Sequence, residues 1–393
     1  MMEKSLDLKL HRILNDRSCR DFILADAKDA DMAYGLSAPG QSPEYYGQEG
    51  KFRTLDEYRR LIRDVVRQGL VDIVLMSGST SELLTIRERL FDNSHITPAI
   101  RANDTTDIWL AAGSGRYTSQ PSHQFSTTTI DQAMCGKADC LPEERSLGAN
   151  LGLYSVTYNN DVELDLHSLQ IYKAFRLEAE RKGFRHFLEI FLPNAPGEHA
   201  PERLTEFIND HIVRTLAGVP EPGRPVFLKI PYQGPEAMER LARYDSALIV
   251  GILGGSSGTT MDAFQMLWEA RRYGARVALY GRKINNAEDQ LTFIRYLRAI
   301  ADGEIEPAEA VRAYHGDLAK LNIRPYRPIE EDFQATHQSL SYSGSSTPPV
   351  SRSVPSQIKS GPAKPDETTP DFSKMTPQEK VEWNLAKWRR ILD

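Results

Sequence analysis

A lysine stands inside an apolar run. Lys229 lies in VFLKI (226–230) and, in an extended chain, shares a face with Phe227. Burying an unpaired ammonium is expensive, so a lysine in such a setting is pushed toward the neutral amine, its nucleophilic form. Amines of this kind form Schiff bases with carbonyl substrates. Each step of that chemistry moves a proton, and two carboxylates lie in other apolar runs: Asp26 in FILAD (22–26) and Glu189 in HFLEIFL (186–192). Both also fit a plainer role, compensating the lysine charge in the interior, and the two roles are compatible.

A second group of residues suits an anion. Gly254-Gly255-Ser256-Ser257-Gly258-Thr259 follows ALIVGIL (247–253) and leads into a helical pattern. Glycines let backbone N–H groups converge, and a helix N-terminus adds positive potential, so this loop is a candidate phosphate cradle as well as a possible tight turn. Gly281 and Arg282, where VALYG (277–281) ends, would add a bidentate contact. Lys28 and Arg101, at the ends of the first and third runs, complete the candidate binding set. The nine histidines are dispersed, and no His/Asp/Glu cluster has metal-ligand spacing, so neither a metal nor a cofactor is expected. The cysteines are Cys19, Cys135 and Cys140. The last two have no histidine pattern near them and read as free thiols of a reducing cytoplasm rather than a zinc site.

The elements that must hold these residues recur regularly. Eight short apolar runs read FILAD, DIVLMSG (72–78), PAIRAN (98–103), LYSVTY (153–158), HFLEIFL, VFLKI, ALIVGIL and VALYG. Near-continuous apolar runs of this length suit strands buried on both faces of a parallel sheet. Helical periodicity fills most gaps: Leu55 to Gly69, Asp161 to Lys182 with Gly183 as its stop, Met261 to Tyr273 before Gly274, and Ala287 to Ala301 before Gly303. Eight alternating units predict a closed (β/α)8 TIM barrel of the α/β class, whose active residues gather at the C-terminal ends of the strands. Residues 104–152 are irregular and helix-poor, and the Gly/Pro-rich 31–52 stretch is placed as a loop over the barrel mouth.

Net charge is −6 with both signs interspersed, which gives no basic footprint for nucleic acid. No apolar run reaches the roughly 18 residues of a membrane span. The first residues, MMEKSLDLKLHRIL, lack the apolar centre of a signal peptide, so a cytoplasmic location is expected. The chain divides into a barrel with its N-terminal extension (1–330), a disordered linker (331–374) whose Ser/Pro-rich stretch is 337–372, and a C-terminal amphipathic helix (375–393). That helix, capped at Thr376-Pro377-Gln378-Glu379, carries Val381, Leu385, Trp388 and Leu392 on one stripe. It either docks on its own barrel or binds a protein partner on a tether.

These features resemble the class I aldolase superfamily that includes the tagatose-bisphosphate, deoxyribose-phosphate and archaeal-type fructose-bisphosphate aldolases. The resemblance spans residues 20–325 and rests on Leu24-Ala25-Asp26, Phe187-Leu188-Glu189-Ile190, Phe227-Leu228-Lys229-Ile230, the 254–259 loop and Gly281-Arg282-Lys283. It implies Lys229 as the Schiff-base residue, Glu189 as acid/base, Asp26 as a positioning and proton-transfer group, and a homo-oligomer. Two positions depart from the pattern: the fourth strand has no lysine, and Lys28 stands where an arginine is expected. The resemblance therefore implies a divergent lyase acting on a phosphorylated sugar or related keto compound, with the substrate unassigned. Two rivals keep the same residues: a sugar-phosphate isomerase or epimerase, and a non-catalytic sugar-phosphate-binding barrel with a partner-binding tail.

Overall fold

The computed structural model describes residues 2–16, 18–42, 52–106, 121–195, 203–255, 258–336 and 376. Eight parallel strands close into a barrel. They are β1 (Ile23–Lys28), β2 (Ile73–Met76), β3 (Thr97–Arg101), β4 (Leu151–Thr157), β5 (Arg185–Phe191), β6 (Leu228–Ile230), β7 (Val250–Leu253) and β8 (Val277–Tyr280). Each pairs with the next in sequence, and β8 returns to β1 through Ile23↔Val277 and Asp26↔Tyr280. All eight coincide with the apolar runs.

Alternation along each strand builds two cores. Inward positions such as Ile23, Ala25, Leu75, Ala99, Leu153, Phe187, Phe227, Val277 and Leu279 fill the barrel. Outward positions such as Leu24, Val74, Leu188, Leu228, Ile252 and Tyr280 pack beneath the helices. Those helices include α2 (Leu55–Gln68), α3 (Val162–Lys182), α4 (Leu204–Ala217), α5 (Pro235–Tyr244), α6 (Thr260–Arg272), α7 (Gln290–Asp302) and α8 (Pro307–Lys320). Their ends follow side-chain chemistry: Thr54 and Glu57 form a capping box on α2, and Gly183 ends α3 at φ 69°, a left-handed conformation that favours glycine.

An earlier helix, α1 (Ser5–Asn15), closes the N-terminal end of the barrel. Its Leu6 and Leu10 join the inner core. Fully burying a leucine such as Leu6 contributes about 2–3 kcal/mol. The opposite end stays polar, and that contrast sets where chemistry can occur.

Between β3 and β4 the described residues hold an antiparallel ladder (Asp104–Thr105 with Gln124–Phe125) and the short helix Ile130–Cys135. The loop expected over the mouth follows β1 and begins with the helical turn Asp31–Tyr34, whereas residues 43–51 lie outside the described residues. Residues 331–336, expected as part of the linker, are not linker. Residues 329–332 form a helical turn, and Thr336 hydrogen-bonds Asp262 of α6 through N–H and Oγ1 at 2.9 and 2.6 Å. Residues 331–336 thus belong to the barrel body because Asp332 and Thr336 are polar partners for the start of α6. The chain divides into units Met1–Pro348 and Pro349–Asp393. The Ser/Pro-rich stretch and the expected C-terminal helix, Thr376 apart, lie outside the described residues. No helix among the described residues is long and apolar enough to cross a membrane.

Candidate active site

Strand parity decides which strand-end residues reach the mouth. On β5 and β6 the inward positions are Phe187 then Glu189, and Phe227 then Lys229. Ser155, Glu189, Lys229 and Gly251 are register partners across β4 to β7, so they share one level of the barrel. Gly251 has no space for a side chain: a Cβ there would lie 2.6 Å from the Leu228 carbonyl oxygen and 2.7 Å from Val277 Cβ.

The resulting geometry is a short polar chain. Lys229 Nζ lies 2.5 Å from Glu189 Oε1, and Ser155 Oγ donates to Glu189 Oε2 at 2.7 Å. Asn103 holds Ser155 in turn: its Nδ2 donates to the Ser155 carbonyl at 2.9 Å, and its Oδ1 accepts the Ser155 N–H at 2.7 Å. Glu189 is 3% exposed and Lys229 8%, so the amine sits at the boundary between barrel interior and mouth. Beside them Arg101 donates from Nη1 to Asp29 at 3.1 Å and pairs through Nε with Asp104 at 2.8 Å. Burial pushes the Asp104 carboxyl up to about 6, with the Arg101 charge opposing.

One cavity gathers Lys229, Glu189, Arg101, Asp29, Ala30, Tyr34, Gly254, Gly255, Gly281 and Arg282. The Arg282 guanidinium lies 5.3 Å from the centre of the Tyr34 ring, a cation–π contact. Of the expected site residues, Lys229, Glu189, Arg101, Gly254, Gly255, Gly281 and Arg282 are thus brought together. Ser256 and Ser257 lie outside the described residues.

Asp26 and Lys28 are not brought in. They share the outward face of β1 with Leu24, whereas Ala25, Ala27 and then Asp29 point inward. Lys28 is fully buried, 3.2 Å from Asp26, and donates to Asn285 and Gln290 at 2.6 and 2.8 Å. The mouth carboxylate of the first strand is therefore Asp29.

The glycine loop is also built differently from the expectation. The Gly254 N–H is spent on the Leu279 carbonyl at 2.7 Å, extending the barrel ladder. Gly254 is needed for space instead, since a Cβ would meet Tyr280 Cδ1 at 2.2 Å. The first donors of α6 are taken by the chain's own carboxylates: Thr259 N–H by Asp262 and Thr260 N–H by Asp332, each at 2.7 Å. Lys283 and Arg327 hold the loop from behind. Lys283 Nζ donates to the Gly258 and Thr259 carbonyls at 2.6 and 3.0 Å, and Arg327 to Gly258 at 3.2 Å. Burial brings the Lys283 ammonium down to about 8.

Sequence reasoning gave no site role to Asp29 or Lys283, although both stand at strand ends it singled out, and it missed Ser155, Asp104, Tyr34 and Asp332. Two carried a readable signal. Counting by twos from Ala25 reaches Asp29, and counting from Leu151 and Leu153 reaches Ser155. Asp332 carried none, because its contact with Thr260 spans 72 residues.

No protein-family model matches the chain, and no curated protein matches it. Among solved structures it is similar to an archaeal fructose 1,6-bisphosphate aldolase, with a TM-score of 0.54 at 17% identity over 76% of this chain and 100% of that one. That similarity extends, at the same 0.54 and 17%, to an archaeal fructose-1,6-bisphosphate aldolase whose catalytic lysine is covalently bound to the carbinolamine intermediate of its substrate. A Corynebacterium glutamicum protein aligns with a TM-score of 0.50 at 14% identity, covering 77% of this chain and 94% of its own. At these identities the likeness establishes a shared barrel fold. Fold and site together define a closed (β/α)8 barrel with an amine–carboxylate pair at its polar end.

Proposed function

We propose that this barrel is a class I aldolase that cleaves or forms a C–C bond in a phosphorylated sugar or related keto compound through a Schiff base on Lys229. The observation that carries the reading is the inward Lys229 amine, 2.5 Å from Glu189 and opening on the cavity that Arg282 also lines. Glu189 takes a proton from the ammonium and leaves a neutral amine. The amine adds to the substrate carbonyl carbon, and the alkoxide oxygen receives the proton, giving a carbinolamine. A second proton delivered through Glu189 expels water and leaves an iminium. Glu189, ionised again, takes the β-hydroxyl proton as the C–C bond breaks; the aldehyde departs and the electron pair stays in an enamine. Glu189 returns that proton to the enamine carbon, and addition of water to the resulting iminium releases the ketone and restores Lys229. Ser155 orients the carboxyl during these transfers. Arg282 and the Gly255 backbone are the proposed phosphate contacts, with Arg101 and Asp29 toward the hydroxylated part of the substrate.

Borohydride treatment in the presence of ketose phosphates and dihydroxyacetone phosphate tests the reading. A reduced adduct mapped to Lys229 by peptide mass is expected. Turnover of any of these compounds without an adduct at Lys229 would exclude the Schiff base. The ion-pair geometry of Lys229 and Glu189 favours one second reading, an isomerase or epimerase with Glu189 as base and the ammonium stabilising an enediolate. Lys229→Arg separates the two, because it abolishes imine chemistry and preserves a positive charge.

A further inference from the structure

Away from the mouth, the segment between β3 and β4 brings two thiols and a carboxylate to one point. Cys135 ends the short helix Ile130–Cys135, the chain turns at Gly136 to reach Cys140, and Glu144 sits on the helical turn Pro142–Ser146. One ligand atom from each of the three lies within 4.8 Å of the other two. Both cysteines are buried, and neither is in a disulfide.

Buried cysteines often serve simply as small core residues, and these two do belong to an apolar cluster with Ile130, Ala133, Met134 and Phe184. A packing role does not require the sulfurs to converge, nor a carboxylate to close over them. Two thiolates and a carboxylate are instead a donor set for a borderline-soft divalent cation, and Cys-x4-Cys falls within the spacing of paired cysteine ligands. We propose that Cys135, Cys140 and Glu144 form a site for a zinc-class divalent metal, with a water in the fourth position on the side of the partly exposed Glu144.

Three anionic donors around a dication leave one negative charge. Lys137 is placed to balance it: it ion-pairs with Glu144 and has a side chain 61% exposed, free to shift outward as the metal enters. The Leu141 N–H donates to Glu144 Oε2 at 3.2 Å and fixes the carboxylate from outside the ligand set. Cysteine binds a metal as the thiolate, so loading is favoured as pH rises. The site would also brace a functional strand, because Gly148 and Ala149 N–H groups donate to the Met134 and Ala133 carbonyls at 2.7 and 3.1 Å just before β4. It stands independently of the aldolase reading.

The test titrates the full-length, reduced, metal-stripped chain with cobalt(II). The expected result is thiolate-to-cobalt charge-transfer absorption that saturates at one equivalent and is displaced by zinc. Cys140→Ser should weaken binding at least about 100-fold, Glu144→Gln about tenfold, and Cys19→Ser not at all. Circular dichroism confirms folding, and if a cysteine variant fails to fold, the partly exposed Glu144→Gln carries the test. Absence of the charge-transfer band at one equivalent, its survival in Cys140→Ser, or unchanged affinity in Glu144→Gln would each overturn the site.

Discussion

Lys229 meets Glu189 on the inner face of β5 and β6, and Lys28 meets Asp26 on the outer face of β1. The two pairs have the same chemistry and both are buried, yet their surroundings differ. Lys28 is roofed by neutral partners, the amide oxygens of Asn285 and Gln290, with the Tyr58 ring centre 5.7 Å away. Burial pushes Asp26 up and Lys28 down, each opposed by the other's charge, and both side chains are fully shielded from solvent. Lys229 instead borders a cavity, and its carboxylate partner is shared with Ser155. An amine becomes available for chemistry when one side of its shell is left for a substrate. Residue type and a strand-end position are shared by both pairs; the face of the strand separates them.

That contrast can be broken by removing each lysine. Lys229→Met should abolish the borohydride adduct and lower turnover by about 10⁴-fold or more, measured on whichever sugar phosphate the wild type uses. Lys28→Met should do the reverse. It leaves Asp26 buried beside neutral groups, costs about 3–5 kcal/mol in urea unfolding, and leaves kcat unchanged within a few-fold while the protein is folded. Loss of adduct in Lys28→Met with normal stability would erase the distinction.

The fold was legible because strands buried on both faces are written as uninterrupted apolar runs, which local pattern alone reveals. Lys229 and Glu189 were legible as charges that interrupt such runs. Asp29 was legible only through parity, counting by twos from Ala25, because β1 continues two residues past FILAD through Ala27 and Lys28 and a polar strand end has no hydrophobic signature of its own. The glycine loop was recognisable by its composition, but its wiring depends on distant partners. Asp332 caps α6 and Lys283 grips the Gly258 carbonyl, contacts that only the closed barrel brings together. The same holds for the boundary at 331, where Asp332 and Thr336 look like the start of a polar tail until their partners on α6 are known.

The carboxylates sharpen the comparison at smaller scale. Asp29→Asn weakens the hold on Arg101 at the mouth and should lower kcat/KM about tenfold, the worth of one charged hydrogen bond. Asp26→Asn, on the other face, should leave kcat/KM unchanged. Equal effects from both would mean that strand parity does not assign the site.

The smallest effect concerns Asp104, the second partner of Arg101. Its carboxyl is raised from 3.8 to about 6 in the folded protein, chiefly by burial. Between those values the folded chain holds a proton that the unfolded chain has released. Stability contributed by that proton is present in full below 3.8 and lost as pH rises through about 6, the sign expected for a raised carboxylate. Asp104→Asn, neutral throughout, removes this part of the slope. Compared with wild type, the variant should gain roughly 2–4 °C in relative melting temperature between pH 4 and pH 7. Parallel melting curves for the two proteins across that range would mean that Arg101 keeps Asp104 ionised, and that the mouth carries one more fixed negative charge than burial predicts.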